Sequence, residues 1–192
     1  MIIDLKQKQS KILEKTITQY NAILQKARTI FQNKMLDYGS TWRVLRPGSL
    51  LDQLFIKAKR IRSIQNAGEQ MIDESLDNEF LAIYNYSIMF LIQLRLEFTD
   101  EPDIKSDEAI RLYEDEANSI RELMKAKNHD YGEAWREMQV SSIADLILVK
   151  LFRIRQIMDN LGKTISSEGI DSNIKDIANY AIFALILLNE NK

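Results

Sequence analysis

Apolar side chains recur along this chain at spacings of three and four, with Leu and Ile set among Lys, Glu and Gln, the period of amphipathic helices. Two prolines and six glycines in 192 residues leave few points for those helices to stop. The pattern predicts an all-α fold with helices at about 4 to 35, 50 to 67, 76 to 98, 104 to 128, 142 to 161 and 171 to 190. Two stretches, AIYNYSIMFLIQL and IANYAIFALILL, are apolar almost all round, as expected of helices buried on every side. Each is shorter than the roughly 20 residues of a membrane span and carries an Asn, so a protein core is the expected setting. The segment FTDEPDIKSDE, with Pro102 among its acidic residues, is the natural joint.

The residues on either side of that joint repeat. KMLDYGSTWRVL at 34–45 and KNHDYGEAWREM at 127–138 both spell Asp-Tyr-Gly-x-x-Trp-Arg. Laying 37–94 over 130–188, with one inserted residue near Leu161, gives 22 identities among the 58 positions of the first segment, so the architecture is a duplication. Each copy reads as helix, DYGxxW loop, helix, acidic loop, helix. The final helix of each copy is too apolar to stand alone. The expected fold is therefore a six-helix bundle of two tandem three-helix repeats, 1–98 and 99–192, packed as one compact unit about a pseudo-twofold axis. The first repeat is the more diverged copy.

Charge narrows the partners. With 26 Lys and Arg against 28 Asp and Glu, the chain lacks the basic footprint of a duplex-binding protein, and single-stranded nucleic acid is disfavoured for want of a basic groove. It has no cysteine, which excludes disulfides and thiolate zinc sites. Its start, MIIDLKQKQSK, has no leader-like apolar region, so a cytoplasmic location is expected. The first helix presents an amphipathic surface through which the chain is able to pair with another copy.

Packing explains the apolar positions shared by the two copies; the shared polar ones carry the chemistry. They include Asp52/Asp145, Lys57/Lys150, Arg60/Arg153, Glu74/Glu168, Asp77/Asp171 and Asn85/Asn179, with Trp42/Trp135 and Tyr86/Tyr180 beside them. On a helix, Asp145, Lys150 and Arg153 fall in one sector, and Asp176 stands one turn from Asn179. Carboxylates and two cations on one cleft suit a phosphate ester with a divalent ion: oxygen ligands for Mg²⁺ and charged donors for phosphoryl oxygens. The same residues also suit ordinary ion pairs at a helix border, with Asn179 bonded to a neighbouring helix. Gly39 and Gly132 fit helix caps, with Asp130 and Trp135 bracing the corner. His129, matched by Leu36, is a candidate general base in the second copy only. The second copy has Lys175 and Asp176 where the first has Leu81 and Ala82, so any catalysis is expected in the second.

The run NHDYGEAWREMQVSSIADLILVKLFRIRQI, followed by SEGIDSNIKDIANYAIFAL, resembles the bacterial and phage nucleotide modification associated domain family. The likeness spans 127–188, and 34–94 looks like a second, diverged instance. It implies a role near nucleotide or modified-base metabolism. A more distant likeness is to the all-α NTP pyrophosphatases, the MazG and dimeric dUTPase group, which cleave nucleoside triphosphates with Mg²⁺. Their E-x-x-E helix is replaced here by Asp145, Lys150 and Arg153, and D-x-x-N at 176–179 stands where they have E-x-x-D.

The expectation is a nucleotide-binding protein with possible hydrolysis. Lys150 and Arg153 would hold phosphate, Mg²⁺ would sit on Asp145, Glu168, Asp171 or Asp176, and Asp145, Glu168 and Asp176 would be the catalytic carboxylates. Asn179 would orient the ligand, with Tyr180 or Trp135 facing the base. The alternative is a non-catalytic helical interaction module whose retained charges are structural ion pairs.

Overall fold

A computed structural model describes residues 2–67, 75–163 and 168–190, with the backbone alone for 2–12 and Ala67. Glu74, one of the shared acidic positions, lies outside the described residues. Six helices run in chain order: α1 Ile2–Tyr38, α2 Pro47–Ala67, α3 Leu76–Leu96, α4 Ser106–Tyr131, α5 Val140–Asp159 and α6 Ile170–Glu190. No strand occurs among the described residues, and no helix among them is long and apolar enough to cross a membrane.

The DYGxxWR motif sets the first boundary of each repeat, and it does so later than periodicity predicts. Asp37-Tyr38 and Asp130-Tyr131 form the last turn of α1 and α4. The stop belongs to Gly39 and Gly132, at φ 63° and 66°, in the left-handed region that costs a side chain about 1 kcal/mol or more. Gly39 N–H donates to Met35 O at 3.0 Å, closing the helix end. A short 3₁₀ turn follows, Thr41–Val44 or Ala134–Glu137, and carries Trp42 and Trp135 inward, where both are buried. Asp130 does not brace the corner: it is exposed, and its partner among the described residues is its neighbour His129, also exposed, at 3.0 Å.

The two apolar helices occupy the centre. α3 and α6 pack against each other, α2 and α5 flank them and touch each other, and α1 and α4 cover the remaining side. Phe80, Ile83, Ile88 and Ile92 of α3 and Ile174, Ile177 and Ile182 of α6 are fully buried, each stabilising the fold by about 1.5–3 kcal/mol. Tyr20, Ile23, Ala27, Phe31 and Met35 of α1 are buried in the same core. The apolar stripe of the first helix, expected to serve a second chain, is thus covered within its own bundle from Tyr20 onward.

Reciprocal contacts define the pseudo-twofold axis. Asn85 of α3 accepts a hydrogen bond from Tyr113 of α4 at 2.7 Å and donates to Ala27 O of α1 at 3.1 Å. Asn179 of α6 accepts from Tyr20 of α1 at 2.8 Å and donates to Ile120 O of α4 at 3.3 Å. Tyr20 and Ala27 occupy the positions in α1 that Tyr113 and Ile120 occupy in α4, so each repeat gives the other what it receives, as an isologous interface requires. The duplication therefore extends upstream of residue 37. A second exchange joins α2 and α5: Asp52 pairs with Arg155 at 2.9 Å and Asp145 with Arg62 at 3.6 Å. All four side chains are well exposed, so these pairs mark register more than they add stability.

Replacing Asn179 or Asn85 by Ala strands a buried tyrosine hydroxyl, removes the second donor of a helical carbonyl and leaves a cavity. The stranded hydroxyl costs about 1–3 kcal/mol, so urea unfolding is expected to show similar losses of at least about 1 kcal/mol for the two variants. A loss near zero in either would remove these amides from the interface.

Candidate ligand site

The charged positions of the second repeat form a closed cluster. Asp176 is buried, with Oδ1 at 2.5 Å from Lys127 Nζ and Oδ2 at 2.6 Å from Lys150 Nζ. Lys150 also reaches Asn173 Oδ1 at 3.4 Å, and Asn173 Nδ2 donates to Gly169 O at 2.8 Å, tying the cluster to the start of α6. Partial burial works against the charge on Lys127, but the hydrogen bond and attraction of Asp176 outweigh it and hold the ammonium above its ordinary pKa. Tyr180 beside it is pushed up, first by burial and then by Asp176, so it remains a neutral phenol.

This arrangement does not fit a metal ion. Both oxygens of Asp176 are engaged by ammonium groups. Asp145, expected beside Lys150 and Arg153, instead faces Arg62 of α2. Glu168 and Asp171 are exposed, and no three acidic or imidazole side chains among the described residues converge. The expected Mg²⁺ set of Asp145, Glu168, Asp171 and Asp176 is not assembled, because a sector on a helical wheel does not specify which neighbouring helix each residue meets. Two of the ligand-orienting assignments change for a related reason. Asn179 is in the core on Tyr20. Trp135 is buried, stacked on Phe183 at 4.3 Å with the Arg136 guanidinium 4.5 Å over its ring. Arg153 is exposed. Of the predicted site residues, Lys150, Asp176 and Tyr180 come together, and Glu168 and Arg153 stand close enough for their charges to act on Lys127 and Tyr180.

The first repeat has the same stripe with its acid moved by one turn. Glu79, matched by Asn173, is 1% exposed, 3.0 Å from Arg60 Nη1 and 3.3 Å from Lys57 Nζ. Ala82 stands where Asp176 stands. Lys34, matched by Lys127, consequently has no carboxylate partner among the described residues. A cavity of about 510 Å³ opens there, between the end of α1, the 3₁₀ turn, α2 and α3. Lys34, Lys57 and Glu79 form its polar wall; Ile30, Leu81 and Met89 are apolar, and Tyr38 and Tyr86 border it. Glu79 Oε2 is buried on that wall, 3.3 Å from Lys57 Nζ without completing a hydrogen bond. Burial raises both tyrosines above the usual phenol value, with the Asp37 charge adding to the effect at Tyr38. Among the described residues the cavity thus stands in the first copy, and in the second Asp176 occupies the position between the two lysines. Lys34 was missed because the aligned block begins at residue 37, although the same Lys precedes DYG by three residues in both copies.

The motif arginine holds the joint beside this cavity. Arg43 is 1% exposed and donates to Asp103 at 2.7 and 3.1 Å, to Glu97 O at 2.6 Å and to Gln93 Oε1. Gln93 in turn donates to the carbonyls of Arg43 and Leu45. Arg136 does the corresponding work differently, binding Thr16 at 2.6 Å, Gln19 at 2.8 Å and Glu190 at 3.1 Å.

Fold and site together define an internally duplicated helical bundle with a ligand-sized cavity in one repeat. The chain belongs to the nucleotide modification associated domain 1 family, whose model matches residues 34–94 and 127–188, one match per repeat. Neither curated proteins nor solved structures give a match.

The hydrogen bonds from Arg43 hold the Asp103 carboxyl below its ordinary range. Its folded value lies below the unfolded one of about 3.9, so the stability it adds is present above about pH 4 and lost as the pH falls through the folded value. Asp103→Asn is expected to lower stability at pH 6, with the gap from wild type narrowing as the pH falls below about 4 in urea titrations. A gap that does not change with pH would mean that Asp103 acts without its charge.

Proposed function

We propose that the first repeat binds a nucleoside phosphate. The phosphate lies at Lys34 and Lys57, a sugar hydroxyl or base N–H donates to Glu79 Oε2, and the base lies against the apolar wall under Tyr38 and Tyr86. The observation that carries this reading is the pairing, on one cavity wall, of an ammonium, Lys34, with no carboxylate partner among the described residues and a buried carboxylate oxygen, Glu79 Oε2, whose contact with Lys57 at 3.3 Å completes no hydrogen bond. A carboxylate oxygen accepts more than one hydrogen bond, so a ligand that donates to Glu79 Oε2 adds a charge-assisted bond beside the Lys57 contact. The volume falls within the usual range for small-molecule sites. Exposed and half-buried tyrosines suit stacking on a base. The description of the family, nucleotide modification associated, points to the same ligand class.

The reading stops at binding. Glu79 is the single carboxylate of the cavity lining, and it is held by Lys57 and Arg60. The alternative, a module whose charges only hold the repeats together, is favoured by the Asp52–Arg155 and Asp145–Arg62 exchange. It accounts for those charges but not for the cavity.

Thermal and urea unfolding with canonical and modified nucleoside mono-, di- and triphosphates tests the proposal. A ligand at 100 times its Kd is expected to add about 2.7 kcal/mol. Lys34→Ala is expected to weaken binding by about tenfold to a hundredfold, the worth of a hydrogen bond to a charged group. No stabilisation by any member of the panel would overturn it.

A further inference from the structure

We infer that the second repeat is a self-occupied copy of the site in the first, in which the Asp176 carboxylate stands where a ligand's phosphate stands between Lys34 and Lys57. The inference rests on the nucleotide-binding reading above and narrows its ligand to a nucleoside monophosphate.

The two repeats supply the comparison. Lys127 and Lys150 are the counterparts of Lys34 and Lys57, on matching turns of α4 and α5 against α1 and α2. In the second repeat one carboxylate satisfies both ammonium groups, one oxygen each, at 2.5 and 2.6 Å. The first repeat has a methyl group at that position, Ala82, and both lysines line an open cavity, Lys57 with a 3.3 Å contact to Glu79 at its other side. A group with two anionic oxygens on one centre fits between such a pair, and a single phosphate monoester has that form. A di- or triphosphate carries further charge for which the lining offers no additional cation. Asn85 and Tyr86, the counterparts of Asn179 and Tyr180, lie on the same wall, so the ligand side of the first site is the one occupied by protein in the second.

Calorimetric titration with dAMP, dCMP, dGMP, dTMP and inorganic phosphate tests the inference in the full chain. Wild type is expected to bind at least one deoxynucleoside monophosphate with a stoichiometry of one, and more tightly than its triphosphate. Ala82→Asp, by supplying the carboxylate, is expected to weaken binding at least tenfold more than Ala82→Asn, which adds the same bulk without the charge. Equal binding by the two variants would overturn the inference while leaving nucleotide binding intact.

A readout without ligand separates the two claims. Ala82→Asp is expected to melt at a higher temperature than Ala82→Asn, and that difference is expected to vanish when Lys34→Ala is added. If no nucleotide binds wild type but the difference depends on Lys34, the binding proposal fails and the carboxylate position stands. If the difference is absent, the inference fails whatever binds.

Discussion

Two buried amides hold the bundle in register. Asn85 and Asn179 sit within helices whose other buried residues are mostly apolar, and an amide there must find both a donor and an acceptor or cost stability. Each finds a tyrosine hydroxyl from the opposite repeat and a carbonyl from its own. Burial keeps Tyr20 and Tyr113 protonated, their pKa values pushed far above that of a free phenol. Sliding one repeat by a single turn would leave two amides and two hydroxyls unpaired. At about 1–3 kcal/mol for each group, that approaches the whole net stability of an ordinary domain, about 5–15 kcal/mol. Apolar packing between α3 and α6 is strong but tolerant of small shifts; these four groups are not.

A register fixed in this way allows the two copies to differ elsewhere. Each keeps one buried carboxylate on the stripe facing Lys57 or Lys150, because a largely buried lysine needs an anion beside it. In the first repeat the acid is Glu79 and in the second Asp176, one turn further along. The second arrangement draws Lys127 in as well and closes the cluster. The first serves Lys57 and Arg60, leaving Lys34 at an open wall. One turn of displacement thus separates a filled site from a hollow one, with the local charge balance kept in both.

The helices, the duplication and the buried central pair were legible in the sequence because periodicity and repetition are local or one-dimensional signals. Part of the cavity was legible as positions: Lys57, Asn85 and Tyr86, three of the positions shared by the two copies, line it in the first repeat. Which copy is hollow was not. That depends on what a side chain fills, and Asp176, the most conspicuous residue in the sequence, is the one that closes its own site. Asp145 misled for a different reason. Its partner, Arg62, lies in the other repeat, and no pattern along a single helix shows a contact across a pseudo-twofold axis. Tyr20 and Tyr113 escaped because an isolated tyrosine on an amphipathic helix looks like any other core residue until its hydroxyl is given a partner.

The repeated DYGxxWR has a part in the cavity without supplying its charges. Gly39 ends α1 in a left-handed turn, where an added Cβ would meet no neighbouring atom, so the demand there is purely conformational. The turn buries Trp42 against Met35 and Phe31, and the next residue, Arg43, pins the joint through Asp103 and Glu97. Tyr38, Gly39, Thr41 and Trp42 thereby become one side of the cavity. In the second repeat the same letters build the same corner, but Phe183 replaces Met89 and stacks on Trp135. A motif can recur twice for one structural reason while the residues facing it, Ala82 or Asp176 and Met89 or Phe183, decide whether the space it encloses stays open.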